Sequence, residues 1–348
     1  MAYTTVTKGK SHFSAKTYAG NGSTNAITGV GHQPDWVWVK DRGTSSSHEH
    51  YCFDAVRGTT KYLKPNSTAA EATASGLTGF DSDGFTLGSS DGMNENSRNF
   101  IAWCWKAGGG AGSSNTDGTI NTTTTSVNST AKFSISKYTG TGSNATIGHG
   151  LGVAPEFVLI KKTNSTASWV HGQNGLGGWN YVLNLNSASW RANQNAQFQS
   201  TAPSSSVITL GTDGEVNGSG DTYVCFAFAP VAGFSRFGNF KGNGSTNQGQ
   251  FVYTGFKPSF VLFKNITVNT TDYQLFDNVR DGYNPDNDYL QSNSDGGEQT
   301  SDIIDLYSNG FRIMGDDSNG WNKDGETYIF AAFGQSIVGT NDIPTTAR

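Results

Sequence analysis

Pro34-Asp-Trp-Val-Trp-Val-Lys40 decides the fold, because it returns as Pro155-Glu-Phe-Val-Leu-Ile-Lys161 and as Pro258-Ser-Phe-Val-Leu-Phe-Lys264. Proline has no N–H group and is tolerated at the first position of a strand. The apolar run that follows is rich in β-branched and aromatic residues, which favour extended backbone. Each copy therefore predicts a buried strand that opens at proline and closes at lysine.

Two further landmarks recur around this strand in the same order. A turn precedes it, as Tyr18-Ala-Gly-Asn-Gly-Ser23, Tyr138-Thr-Gly-Thr-Gly-Ser143 and Phe240-Lys-Gly-Asn-Gly-Ser245. A second apolar strand closes each unit, as Phe100-Ile-Ala-Trp-Cys-Trp105, Tyr223-Val-Cys-Phe-Ala-Phe228 and Tyr328-Ile-Phe-Ala-Ala-Phe333. Glycine and asparagine accept the positive φ angles of tight turns. Three landmarks that recur three times indicate an internal repeat of about a hundred residues.

Short strands with frequent turn signals and no sustained helical periodicity predict an all-β protein. We expect three tandem β-sandwich domains of jelly-roll or concanavalin-like form. The repeats are predicted at residues 1–107, 131–232 and 233–337. The Gly, Ser, Thr and Asn residues of 108–130 predict a flexible or extended linker, and residues 338–348 are predicted to form a polar tail.

Composition restricts the classes of function. The chain has 348 residues, a net charge of −5 and only 15% charged residues, but 21 Phe, 13 Tyr and 8 Trp can fill a core. Clustered Lys and Arg, which nucleic-acid binding needs, are missing from the sequence, and no apolar run reaches the roughly 20 residues of a membrane span. The first ten residues lack the apolar core of a secretory signal, so assembly in a cytoplasm is expected.

Residues that could carry chemistry are few. Cys52, Cys104 and Cys225 cannot form a complete disulfide framework and are predicted to be buried thiols. His48-Glu49-His50 could place two imidazoles on one strand face, but its Ser and Thr neighbours favour a solvated loop. Asp81-Ser-Asp83-Gly84 and similar acidic turns lack the spaced glutamate of a calcium loop. We therefore predict no catalytic residue, no metal site and no cofactor.

Aromatic residues among polar neighbours are candidate binding groups. Sugar rings stack on flat aromatic faces while amides bond hydroxyls, and the same mixture suits a protein interface. Core packing is the competing interpretation for every one of them. The candidates are Trp169, Trp179, Trp190, Tyr283, Tyr289 and Trp321.

The three landmarks together resemble a repeated module of tailed-phage virion proteins, found in marine and cyanobacterial phages and often in tail fibres. The resemblance covers about residues 13–335 and is best in the last two units, through Thr222-Tyr-Val224 and Thr327-Tyr-Ile329. The first unit departs from it, with Asn99-Phe-Ile101 at that place. The resemblance implies membership of the virion and identifies no ligand and no catalytic residue.

Three functions follow as hypotheses. The first is a non-enzymatic tail-fibre or adhesin-like protein that presents polar and aromatic loops to host surface glycans. The second is a capsid or tail decoration protein, such as a head fibre or cement protein, that binds other virion proteins. The third is a polysaccharide depolymerase, for which the sequence offers no convergent carboxylate pair. By analogy with phage fibres and decorations, a homotrimer is expected.

Overall fold

The computed structural model describes residues 4–43, 48–245, 248–268, 270–280, 284, 286–314 and 320–336, except for the side chains of Asp91, Asp286 and Asn287. Strands account for most of its regular structure, so the predicted all-β class is confirmed. Within the described residues, helices are single turns, and none is long or apolar enough to cross a membrane.

The first repeat forms a main sheet and a smaller one. Its elements are β1 (Phe13–Ala19), β2 (Asn25–Thr28), β3 (Trp36–Asp41), β4 (Tyr51–Asp54), β5 (Lys61–Tyr62), β6 (Ala72–Thr73), β7 (Leu77–Asp81), β8 (Gly84–Leu87), β9 (Asn99–Trp105), a 3-10 turn at Gly9–Ser11 and helix α1 (Asp91–Asn94). The main sheet has the order β1-β9-β3-β4, the smaller sheet has the order β2-β8-β7, and β5 pairs with β6.

The second repeat has the same plan. Its elements are β10 (Thr124–Asn128), β11 (Phe133–Thr139), β12 (Ala145–Gly148), β13 (Phe157–Lys162), β14 (Trp169–Gln173), β15 (Tyr181–Asn184), β16 (Ala192–Asn193), β17 (Val207–Leu210), β18 (Thr222–Phe228), a 3-10 turn at Asn174–Leu176 and helices α2 (Asn195–Phe198) and α3 (Gly214–Asn217). The main sheet has the order β10-β11-β18-β13-β14-β15-β16, and β12 pairs with β17.

The third repeat joins its strands into one continuous sheet. They are β19 (Ser235–Lys241), β20 (Phe251–Tyr253), β21 (Phe256–Asn265), β22 (Gln274–Asp277), β23 (Asp286–Gln291), β24 (Gln299–Tyr307), β25 (Gly310–Ile313) and β26 (Thr327–Ser336). Their order is β19-β26-β21-β22-β23-β24-β25-β20.

The side chains of each proline-led strand point alternately into two different hydrophobic clusters. Val37 and Val39 of β3 pack in a cluster drawn only from the first repeat, whereas Trp36 and Trp38 pack in a cluster shared by all three repeats. Successive side chains of a strand point to opposite faces, so a continuous apolar run can fill two cores at once. Strands β13 and β21 alternate in the same way between the shared cluster and a cluster of their own repeat.

The shared core joins the repeats by direct aromatic contacts. Trp36 stacks on Phe226 of the second repeat with ring centroids 4.6 Å apart, and Trp103 meets Phe260 of the third edge-on at 5.8 Å. Phe228 and Phe333 connect the second and third repeats at 5.3 Å. The repeats are therefore packed against one another around a common centre.

The predicted linker at 108–130 needs correction. Thr124–Asn128 forms strand β10, which pairs antiparallel with β11 of the second repeat. Ile120 bridges to Ile147 of β12 and is buried in the second repeat's own core. Its Thr-rich composition suits a strand whose hydroxyls bond to neighbours, and that pairing was not visible in composition alone.

Candidate binding surface

The recurring turn before each proline-led strand is held by a buried asparagine. Asn217 Oδ1 accepts a hydrogen bond from the Thr141 N–H at 2.8 Å, and its Nδ2 donates to the Ser143 carbonyl at 2.6 Å. Asn94 and Asn322 make the corresponding bonds in the other repeats. Each asparagine stands six residues before the aromatic residue that opens the closing strand, a spacing that could have found it from sequence.

Close packing explains why the turn begins with glycine. A Cβ added at Gly140 would lie 2.4 Å from the Gly218 carbonyl oxygen, which no side chain can occupy. Beside it, Tyr138 stacks on Tyr223 with centroids 5.1 Å apart. Buried side chains and close main-chain contacts therefore hold the turn in place, so we assign it a structural role.

The lysine at the last position but one of each proline-led strand is buried at a contact between repeats. Each ammonium donates to one carbonyl of its own repeat and to one carbonyl of another. Lys40 donates to the His48 carbonyl of its own repeat at 2.8 Å and to the Asp295 carbonyl of the third repeat at 3.0 Å. Lys161 donates to the Ala167 carbonyl of its own repeat at 2.7 Å and to the Thr68 carbonyl of the first repeat at 3.0 Å. Lys264 donates to the Thr271 carbonyl of its own repeat and to the Ala188 carbonyl of the second repeat at 3.1 Å. The contacts run from the first repeat to the third, the second to the first and the third to the second, a closed cycle.

Burial lowers the pKa of the Lys40, Lys161 and Lys264 ammonium groups to about 8. Removal from water disfavours the charged form, and the carbonyl partners compensate for only part of that cost. We assign these lysines to assembly of the three repeats.

Three of the candidate binding aromatics are buried, which agrees with the competing interpretation of core packing and not with a binding role. Trp169 donates its indole N–H to the Lys64 carbonyl of the first repeat at 2.9 Å. Trp179 donates to Asn174 Oδ1 at 2.8 Å, and the Tyr289 hydroxyl bonds Gln299. Each large ring fills a core or an interface while its polar atom finds a partner, as buried Trp and Tyr usually do.

Of the next two candidates, Trp321 and Tyr283, only Trp321 is described, and it gives little free surface. Trp321 is half-buried and packs edge-on against Tyr289 with centroids 5.9 Å apart. Tyr283 lies outside the described residues.

Trp190 remains as an accessible stacking face, with 54% of its surface exposed. Next to it in the chain, the Arg191 guanidinium lies 4.5 Å from the centre of the Tyr181 ring. Ser187 and Ser189, joined by a 2.9 Å hydrogen bond, shape the loop that carries the indole. An exposed flat ring in a polar loop can stack on one face of a ligand.

Comparison with known proteins gives one match. A family profile described as "Domain of unknown function (DUF7483)" covers residues 8–336. The chain belongs to the DUF7483 family. No curated protein and no solved structure matches the chain significantly. The profile extends across all three repeats of the DUF7483 chain, from the turn before β1 to the end of β26.

The histidines of His48-Glu49-His50 do not converge. His48 Nδ1 lies 2.9 Å from Asp41 Oδ2, whereas the His50 ring is buried between the Trp38 indole N–H at 2.8 Å and the Gln291 carbonyl at 3.0 Å. Within the described part of the DUF7483 chain, no group of three or more His, Cys, Asp or Glu is arranged to hold a metal ion.

The cysteine thiols are buried in the core, and Asp83 of the first acidic turn is used in hydrogen bonds to the main chain. Cys52, Cys104 and Cys225 are buried, and burial raises the pKa of each thiol, which disfavours the reactive thiolate. Asp83 accepts hydrogen bonds from the Gly29 and Gly31 N–H groups at 3.0 and 2.6 Å. Of the acidic stretch Asp316-Asp317-Ser-Asn319-Gly320, only the last residue is described.

Acidification below about pH 6.5 is expected to destabilise the DUF7483 fold. Burial lowers the pKa of His171 to about 3 and that of His32 to about 4, whereas an unfolded imidazole titrates near pH 6.5. The unfolded chain then binds more protons than the native chain, so stability is lost as the pH falls from about 6.5 toward 4 and 3. Each group contributes about 1.4 kcal/mol per pH unit in that window.

Urea denaturation at pH 7 and pH 5 checks this pH dependence. His171 bonds the Tyr273 hydroxyl at 3.0 Å and the Gln173 side chain at 3.1 Å, so His171→Gln lowers stability at both pH values. The decrease in the free energy of unfolding from pH 7 to pH 5 should be about 2 kcal/mol smaller in the variant than in the wild type. Equal falls would show that His171 is not held neutral by burial.

Proposed function

We propose that this DUF7483 protein is a non-enzymatic structural component of a tailed-phage particle, with an adhesin-like role in contacting host surface glycans. Its repeated landmarks resemble those of virion proteins, and its sequence is rich in Ser, Thr, Asn and Gly and has only 15% charged residues. The observation that carries the adhesive role is the exposed indole of Trp190, in a polar loop whose next residue, Arg191, stacks on Tyr181. The support for a virion location is the resemblance alone.

The proposal includes an architecture of three β-sandwich units. Each repeat has an apolar cluster of its own, and in the first two repeats that cluster lies between a main sheet and a smaller sheet. In the third repeat the two ends of one eight-stranded sheet, β19 and β20, face each other across a groove. Three such units around a common core form a stiff body that holds loops at fixed positions.

Burial of the reactive groups supports a non-enzymatic role. His50, His171 and the cysteines are enclosed, and each imidazole is used in hydrogen bonds between strands or repeats. Lys161 and its two counterparts serve the contacts between repeats. Catalysis needs such groups where a substrate can reach them.

Binding to an array of bacterial surface glycans tests the adhesive role. Trp190→Ala should weaken binding about tenfold, since a stacked aromatic face contributes up to about 1.5 kcal/mol. Tyr253→Ala is the matched control, because Tyr253 is another exposed ring, 51% accessible, on the third repeat. Absence of glycan binding, or equal binding by wild type and Trp190→Ala, would contradict the adhesive role.

Labelling of purified particles tests the virion location. A gold-conjugated antibody against the chain should decorate the tail of the phage that encodes it. Decoration of the head would favour the capsid decoration alternative, and particles without the protein would refute both virion roles.

A further inference from the structure

The three repeats have equivalent edge strands, and only one of these is covered. Strands β1, β11 and β19 each pair with the closing strand of their repeat, which is β9, β18 and β26 respectively. Beyond β11 lies β10, whereas β1 and β19 end their sheets in the described structure. An open edge presents unpaired N–H and C=O groups that can accept another strand.

In the second repeat the connector fills the space beside this edge. Ser126 of β10 lies opposite Ile135 of β11, and Ile120 bridges to β12 of the smaller sheet. The hydroxyls of Thr122 and Thr125 are 2.8 Å apart, and Thr125 bonds Ser136 at 3.1 Å. A short strand of small hydroxylated residues is therefore the occupant that this repeat architecture accepts.

In the third repeat the equivalent space is an open groove of about 540 Å³ between β19 and β20. Ser235 exchanges both main-chain hydrogen bonds with Val231 on the side away from β26. Because residues alternate along an antiparallel strand, Phe237, Asn239 and Lys241 direct their N–H and C=O groups to the same open side. This is the side on which β10 pairs with β11.

The groove is basic. Arg236 and Lys241 line it, and none of the described residues that line it is acidic. The Arg236 guanidinium lies 5.5 Å from the centre of the exposed Tyr253 ring. A strand that enters the groove therefore gains by carrying a carboxylate.

The corresponding groove at β1 is less suitable. Its cavity of about 450 Å³ is lined in part by the third repeat, through Ser259, Asn278 and Gln335. The Gly9 N–H donates to the Gln335 side chain at 2.8 Å, which ties the chain before β1 to the end of β26. The third repeat thus offers the freer edge.

We propose that the β19–β20 groove binds an extended peptide strand of a partner protein, rich in Ser and Thr and carrying at least one carboxylate. The strand adds antiparallel to β19, as β10 adds to β11. Main-chain hydrogen bonds to residues 237–241 supply affinity, and Arg236 and Lys241 select the acid. This interaction does not depend on glycan binding, which uses the Trp190 loop of the second repeat.

The experiment titrates the full chain with a fluorescent peptide of residues 117–128, Asp-Gly-Thr-Ile-Asn-Thr-Thr-Thr-Thr-Ser-Val-Asn. This probe contains the segment that covers β11 and carries one acid, Asp117. Fluorescence anisotropy should show saturable binding. Binding should be lost when Thr124 of the peptide is replaced by proline, which cannot complete a ladder.

Two variants of the chain locate the site. Asn239→Pro removes one outward N–H from an edge strand, where proline is tolerated, and should abolish binding. Lys241→Glu should weaken it at least tenfold, whereas Lys8→Glu, which reverses an exposed lysine far along the chain, should leave it unchanged. Urea denaturation of each variant verifies that the fold is kept.

Three outcomes would overturn the proposal. The first is no binding of the peptide at millimolar concentration, and the second is equal binding by wild type, Asn239→Pro and Lys241→Glu. The third is a wild-type dimer that Lys241→Glu dissociates, because the occupant of the groove would then be a second copy of the chain.

Discussion

Trp36→Ala is expected to lower the free energy of unfolding by roughly 3–5 kcal/mol, the usual cost of deleting a buried Trp side chain. Trp36 stacks on Trp105 of its own repeat at 4.4 Å and on Phe226 of the second repeat at 4.6 Å. Its removal leaves a cavity lined by aromatic rings of two repeats, which are held by separate sheets and cannot easily close the space. Urea denaturation followed by circular dichroism measures the loss.

Trp190→Ala is the matched control for this prediction. The same atoms are deleted from a side chain that is 54% exposed, so we expect a change of at most about 0.5 kcal/mol. Similar losses in the two variants would mean that the shared core does not carry the stability assigned to it.

Asp277→Ala is expected to lower the free energy of unfolding by roughly 3–5 kcal/mol, because it removes the nearer of the two carboxylates that pair with the buried Arg280 guanidinium, the other being Glu298 at 3.3 Å. Asp277 Oδ2 accepts hydrogen bonds from Arg280 Nε at 2.8 Å and from the Trp103 indole N–H of the first repeat at 2.9 Å. Both side chains of the ion pair are fully buried. The substitution therefore breaks a charge pair and a contact between repeats at once.

Asp221→Ala provides the comparison for Asp277→Ala. Asp221 pairs with Lys162 at 2.8 Å, but its side chain is 27% exposed, so its loss should cost no more than about 1 kcal/mol. The same denaturation assay distinguishes the two. A loss for Asp277→Ala within 1 kcal/mol of that for Asp221→Ala would show that the buried pair is dispensable.

The strands of the repeats could be predicted because their signals are local. The proline-led stretch Pro34–Lys40 covers all of β3 except Asp41, although the strand begins at Trp36 and not at the proline, and Phe100–Trp105 falls within β9. Turn glycines and apolar runs fix these elements through the backbone geometry of a few neighbouring residues.

The shared core could not be predicted because it depends on contacts between distant residues. Nothing in the sequence around Trp38 tells whether its ring meets residues of its own repeat or of another. Trp169 lies among polar neighbours in sequence, yet the Lys64 carbonyl, which belongs to another repeat, accepts its indole N–H. The same reason explains the lysines: Lys161 ends an apolar strand, and its partner Thr68 is 93 residues away.

For the candidate site, the sequence predicted which types of residue could bind a ligand but not which of them are exposed. The sequence indicated that Trp and Tyr among Ser and Asn could bind a ligand, and Trp190 is exposed as that role requires. Exposure itself is a tertiary property, so the same pattern selected Trp179, which is enclosed against Phe198. The groove beside β19 has no sequence signal, because it results from a strand that the second repeat has and that the described residues of the third repeat do not supply.

Native-state hydrogen exchange on Trp36→Ala tests most directly whether the three repeats are one energetic unit. The slowest amides report the free energy of global unfolding. We predict that protection falls by the same roughly 3–5 kcal/mol in β3 and β9 of the first repeat, in β13 and β18 of the second, and in β21 and β26 of the third. A fall confined to β3 and β9, with the other strands unchanged, would contradict the account.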